Sequence, residues 1–338
     1  MPPKLDVFRA HAGSVLSVIT AKDGLHFVTC GADGVARIWD WNMPSTSPEI
    51  FHSRLGQVRT VALSPDGSWL FATSVGGAET RSMSDRRTSS KWNTVPSQFI
   101  SPDGRRVLTL RLDGMDYHEL VRPERRVMGL LGDPLQLPQL VVAAFSSDGN
   151  LLVTSGQEGT SQLWDLRDRF PKPLSVFRQA SPIRSVTFTH DSRRFLTGGE
   201  DGRVRLWQVD DPSKPPEVMA EQSGEISALV VDPAFLCLAT SGESTLRLWD
   251  LSHRGQTPIA LETPGFITSL AIGPDGHWLA GGTTSRDVFL MTLRLNELIP
   301  QASKVVGRNM TRQEWAQYFP GEEYRKTFVD LPAVPQNL

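Results

Sequence analysis

Seven histidines, His11, His26, His52, His118, His190, His253 and His277, are the side chains best suited to ligate a metal or move a proton. Their spacing supports neither task. No H-E-x-x-H puts two of them on one helix face beside a general base, and no other pair stands at a metal-ligand spacing. A serine nucleophile would call for a G-x-S-x-G elbow, and phosphate transfer for a G-x-x-x-x-G-K-[ST] loop or a kinase signature; the sequence has none of these. Repeated Asp-Gly turns offer oxygens, but one Asp per turn on separate segments cannot gather the roughly six to eight that calcium takes. Cys30 and Cys237 sit in the apolar runs FVTC and FLCLAT, where a thiol behaves as a small buried hydrophobe. The expectation is an inert, non-enzymatic monomer with no catalytic residue, cofactor, metal or disulfide.

Arginine is the remaining chemistry. Between Arg81 and Arg126 there are ten basic and six acidic residues, a local +4 in a chain of net charge −2. Arg86, Arg87, Arg105, Arg106, Arg125 and Arg126 give an alternative reading as an arginine-rich rim for nucleic acid. Without interleaved aromatics a solvated rim is the better account. Arginine outnumbers lysine fourfold, as a GC-rich, for example bacterial, genome would give.

These side chains ride on strands. Segments such as VRTVAL and IRSVTF alternate apolar and polar residues, which marks strands with a buried face. First strands are expected to begin at Val15, Val58, Val95, Leu140, Ile183, Ile226 and Ile267. Turns such as SPDG (64–67), SPDG (101–104) and GPDG (273–276) follow them, with Pro setting φ, Asp bonding its own backbone and Gly taking φ > 0. At 338 residues with 39% hydrophobic residues the chain can build a large core. No run approaches the roughly 18 apolar residues of a membrane helix, and MPPKLDVF lacks the pattern of a signal peptide. No membrane partner and a cytoplasmic location are expected.

The third strands carry the most specific signal. ARIWD (36–40), QLWD (162–165), RLWQ (205–208) and RLWD (247–250) recur, and the steps from Trp164 to Trp207 and to Trp249 are 43 and 42 residues. The chain resembles the WD40 repeat family in these motifs and in a period of about 40–45 residues per blade. The resemblance implies an all-β, seven-bladed WD40 β-propeller over 1–293, with residues 5–9 supplying the outer strand of the last blade. In the family, the third-strand Trp joins a structural hydrogen-bonded set, and only the first repeat has all of it: His11, Thr29, Asp33 and Trp39. Trp164, Trp207 and Trp249 belong to partial sets. Ser84, Glu119 and Met291 stand where other repeats have Trp.

Family propellers bind protein or peptide on the narrower top face, around the residue that opens each first strand. Carried over, those positions are Ser14, Leu16, Gln57, Arg59, Gln139, Arg184, Glu225, Phe266 and Thr268, joined by the turn residues Gln157 and Glu200. Arg59, Arg184 and Phe266 are the expected anchors, since Arg and aromatics dominate hot spots.

After 293 the β pattern stops, and 294–338 is expected to form a helical tail packed on the propeller. Thr311 and Glu314 make a T-x-x-E capping box, and Trp315, Tyr318 and Phe319 follow at helical spacing. Gly307 to Thr311, Glu314, Trp315, Tyr324 and Thr327 resemble the segment that follows WD40 arrays in bacterial multidomain proteins, although Phe328 replaces a usual Cys. There the array is joined to a STAND NTPase, kinase or caspase-like effector. That resemblance implies a scaffold or sensor module for signalling or defence.

Overall fold

The computed structural model describes residues 5–21, 24–41, 47–54, 56–64, 68–74, 77–83, 88–92, 97–101, 106–111, 114–120, 126–130, 140–156, 158–168, 172–252 and 258–293. These residues are all-β, with no helix among them, and so none long and apolar enough to cross a membrane. They form repeated four-stranded antiparallel sheets of the propeller kind.

The first strand, β1 (Asp6–Arg9), stands apart from the sheet that follows it. The first sheet is β2 (Val15–Thr20), β3 (His26–Gly31), β4 (Val35–Asp40) and β5 (Glu49–His52). The second is β6 (Val58–Leu63), β7 (Trp69–Ser74), β8 (Gly77–Ser82) and β9 (Thr88–Trp92), and the third is β10 (Ser97–Ile100), β11 (Arg106–Arg111), β12 (Gly114–Leu120) and β13 (Arg126–Leu130). The fourth is β14 (Leu140–Phe145), β15 (Leu151–Gly156), β16 (Thr160–Asp165) and β17 (Lys172–Arg178). The fifth is β18 (Ile183–Phe188), β19 (Arg194–Gly199), β20 (Arg203–Gln208) and β21 (Glu217–Glu221), and the sixth is β22 (Ala228–Val231), β23 (Cys237–Gly242), β24 (Thr245–Asp250) and β25 (Ile259–Glu262). The seventh joins β26 (Ile267–Ile272), β27 (Trp278–Thr283) and β28 (Asp287–Thr292) to β1, which pairs with β28 from Asp6↔Leu290 to Arg9↔Asp287.

The inner strand of each sheet packs on that of the next, and β26 packs back on β2. Hydroxyls reinforce this contact. Ser269 Oγ accepts the Val18 N–H at 3.1 Å, and Ser185 Oγ accepts the Leu229 N–H at 3.1 Å. Second strands are enclosed on both faces, so β3, β15, β19 and β27 are buried over almost their whole length. Small residues let neighbouring sheets approach: a Cβ on Gly282 would run into the Val15 side chain of the first sheet.

The turns follow the expected chemistry. At 273–276 the Gly276 N–H donates to Gly273 O at 2.9 Å with Gly276 at φ +71°, while Asp275 Oδ1 accepts the His277 N–H at 3.0 Å. Five first strands begin where the sequence places them, at Val15, Val58, Leu140, Ile183 and Ile267. The strand expected at Ile226 starts at Ala228, because the Ile226 N–H goes to Gly199 O of the fifth sheet and cross-strand Cα pairing begins at Ala228↔Ser241. Val95 lies outside the described residues.

Candidate functional site

Those five first strands share an irregularity. The pairing slips by one residue between Val15 and Ser17, Val58 and Thr60, Leu140 and Val142, Ile183 and Ser185, and Ile267 and Ser269. Leu16, Arg59, Val141, Arg184 and Thr268 are therefore bulge residues, each stepped over by the strand register at the same end of its sheet. A bulge takes a residue out of the ladder and re-aims its side chain, a device common beside functional sites.

Three of the candidate residues come together at this end. Arg184 is ion-paired to Glu200, with Nε 2.8 Å from Oε1, and stands 3.9 Å from Glu225 Oε2 of the sixth sheet. All three groups are more than a third exposed, so solvent screening leaves the pair a contribution of about 0–1 kcal/mol. Among the described residues Phe266 is the most exposed of the large apolar side chains at 59%, and the next residue, Ile267, donates its N–H to Glu243 O. Gln57 and Arg59 are exposed. Two other candidates have backbone partners: Ser14 donates to Thr284 O at 2.9 Å, and Thr268 donates to Val15 O at 2.8 Å, each linking the first and seventh sheets. Gln139 and Gln157 lie outside the described residues, as do Arg86, Arg87, Arg105 and Arg125 of the alternative rim and the whole of 294–338.

The structural set of the first repeat is assembled around Thr29. Its hydroxyl accepts the Trp39 indole N–H at 2.9 Å and donates to His11 Nε2 at 2.9 Å, leaving the Nδ1–H to Asp33 Oδ1 at 3.0 Å. Arg37 Nη1 lies 2.6 Å from His11 Nδ1 and donates to Asp33 Oδ2 at 3.1 Å. Burial pulls the His11 pKa below its ordinary value, and the Arg37 charge adds to this against the pull of Asp33. Burial pushes Asp33 up, but hydrogen bonds from His11, the Ala12 N–H and Arg37 outweigh it and hold the carboxyl below the usual range. Such a network stiffens a sheet.

The same Trp-to-Thr bond recurs from Trp164 to Thr154, Trp207 to Thr197 and Trp249 to Thr240, at 3.0, 3.0 and 2.9 Å. In the fifth and sixth sheets glutamine takes the histidine's place. Thr197 donates to Gln179 Oε1 at 2.7 Å and Thr240 to Gln222 Oε1 at 2.8 Å. The family described as WD domain, G-beta repeat matches residues 3–40, 49–78, 140–165 and 171–208. These four segments match WD40 repeats. The chain is also similar to an uncharacterized WD repeat-containing protein of Schizosaccharomyces pombe, 28% identical over 145 residues that cover 42% of this chain. The match covers 20% of that relative's length.

Beyond the WD40 motifs, Gln179 and Gln222 are what sequence reasoning missed. The signal was their position four residues before Ile183 and Ile226, as His11 is before Val15. Among the described residues no group of three His, Cys, Asp or Glu side chains could hold a metal. Cys30 is buried and its thiol pushed well up by burial; burial pushes Cys237 up to about 12.

Proposed function

We propose that residues 1–293 form one closed seven-bladed WD40 propeller, a non-enzymatic scaffold that binds a protein or peptide across the bulge-lined face. The observation that carries this reading is the repetition of the bulge. One extra residue recurs at the same place in five sheets around one end of a rigid frame, and at four of those places the side chains, Leu16, Arg59, Arg184 and Thr268, differ in character. Exposed Phe266 adds an apolar anchor, and Arg59 a cationic one. In this reading 294–338 packs on the propeller, and its Gly307 to Thr327 motif supports a sensor part of a larger, cytoplasmic bacterial signalling or defence protein.

The test is a binding assay against partners recovered from the source cell. Arg59→Glu with Phe266→Ala should cost more than about 2 kcal/mol, roughly thirtyfold in affinity, at unchanged melting temperature. Arg184 is a poorer probe, since its reversal would set three carboxylates together. A partner held equally by that double variant and lost on reversing Arg86, Arg87, Arg125 and Arg126 would put recognition on the arginine-rich rim instead.

A further inference from the structure

The other end of the inner strands holds a cavity of about 400 Å³ that the scaffold reading leaves unused. Its wall is mainly apolar: Ala21, Phe188, Val231, Pro233, Ile272 and Pro274. These residues sit at the ends of β2, β18, β22 and β26 or in the turns that follow, and Ser147 in the turn after β14 also lines the wall, so the cavity opens where five sheets converge. An apolar concavity of a few hundred Å³ is the size that takes a ring-bearing anchor.

The described chain ends beside it. Leu293 donates its N–H to His277 O at 2.7 Å, and His277 is three residues past Pro274 in the turn between β26 and β27. Forty-five residues follow Leu293. Trp315 comes 22 residues on, a span of up to about 70 Å when extended, so reach is no obstacle. The sequence places Trp315, Tyr318 and Phe319 on one helical stripe, and Trp removes the largest ring surface from water. Left open to solvent, that stripe would be an apolar patch prone to association.

We infer that Trp315 of the chain's own tail fills this cavity, so that the segment after Leu293 folds back over the end of the propeller opposite the binding face. The inference rests on the reading that 294–338 packs on the propeller and names the place. It divides the molecule into an occupied end and a free one.

Thiol labelling of the full chain tests it. Cys30, which is buried, and Cys237, which is half-buried with its thiol pushed up to about 12, should both react slowly and give little background. Ser147→Cys puts a probe on the cavity wall, and Ser285→Cys puts one on an exposed turn at the other end. With the tail intact, the Ser147→Cys thiol should react with a maleimide at least tenfold more slowly than the Ser285→Cys thiol. Adding Trp315→Ala should raise its rate at least tenfold and leave the other unchanged, while Trp315→Phe keeps most of the protection. An unchanged Ser147→Cys rate with Trp315→Ala overturns the inference, as does equal acceleration at both positions. If the rate stays fixed but Trp315→Ala still lowers the melting temperature, the tail packs elsewhere; if neither moves, the packing reading falls too.

Discussion

His11 shows how much a single side chain must do to remain structural. Its two nitrogens are committed, one to Thr29 and one to Asp33, and the Arg37 guanidinium stands against the ring. A second proton on the imidazole would remove the acceptor that Thr29 needs and set like charges together. Its folded pKa therefore lies below that of the unfolded chain, chiefly through burial. The stabilisation is complete above the unfolded value of about 6.5 and is lost as pH falls through that value toward the folded one. His11→Gln should keep a Thr29 partner, as Gln222 does for Thr240, without a titrating group. We expect the urea midpoint of the native chain to fall between pH 7.5 and 5.5 and that of His11→Gln to fall less; equal slopes would show that His11 is not the titrating group. The histidine set was legible because its four residue types recur together in a known family. Gln179 and Gln222 were not, since a glutamine before a strand reads as a solvent-facing residue until its amide is seen bonded on both sides, as Gln222 is to Thr240 and Glu225 O.

Strand identity was legible from the apolar pattern, but the bulges were not, although they left a trace. Val15 and Val18, Val58 and Val61, and Ile183 and Val186 are buried pairs three apart, where unbroken alternation would bury residues two apart. The extra residue is the bulge, and it turns a core strand into a carrier of surface side chains. In the sixth sheet Gly242 pairs Thr245 directly, with only Glu243 and Ser244 between them, and the Trp249–Thr240 separation is nine residues where the first, fourth and fifth sheets have ten. A short turn does not by itself remove the bulge, since the second sheet pairs Ser74 directly with Gly77 and keeps its own. Turn glycines separate two costs that are often merged. Gly202 and Gly224 both have positive φ, +75° and +80°. A Cβ on Gly224 would meet nothing, while one on Gly202 would collide with the carbonyl of Gln222 and lie 2.8 Å from that of Gly224. Gly224→Ala should cost about 1 kcal/mol for the left-handed backbone alone, and Gly202→Ala roughly 2–4 kcal/mol for strain and collision together. Urea titrations of the two variants check this; equal losses would show that the backbone term dominates.

The molecule as a whole depends on a pairing of its two distant segments. β1 completes the seventh sheet by pairing with β28, and its Phe8 reaches past that sheet to pack edge-on against Trp39 of the first, with ring centroids 5.0 Å apart. The core between these two sheets joins Ala10, Val15, Val18, Phe27 and Trp39 to Ala271, Ala280, Val288 and Leu290. Ser14 and Thr268 tie the same seam by hydroxyl-to-carbonyl bonds. Circular packing of this kind concentrates the cost of opening at one seam, because losing the first strand exposes the edge of β28 and one face of the core behind it. Phe8→Ala removes the aromatic contact and keeps the strand, so it should cost about 2 kcal/mol, or roughly 4–8 °C in melting temperature. Deleting residues 1–9 removes the ladder as well. It should lower the melting temperature further and promote association through the bared β28 edge, visible as a larger species in size-exclusion chromatography. A deletion variant that melts no lower than Phe8→Ala and elutes unchanged would mean that the ring is held by the inner strands alone, with β1 a peripheral addition.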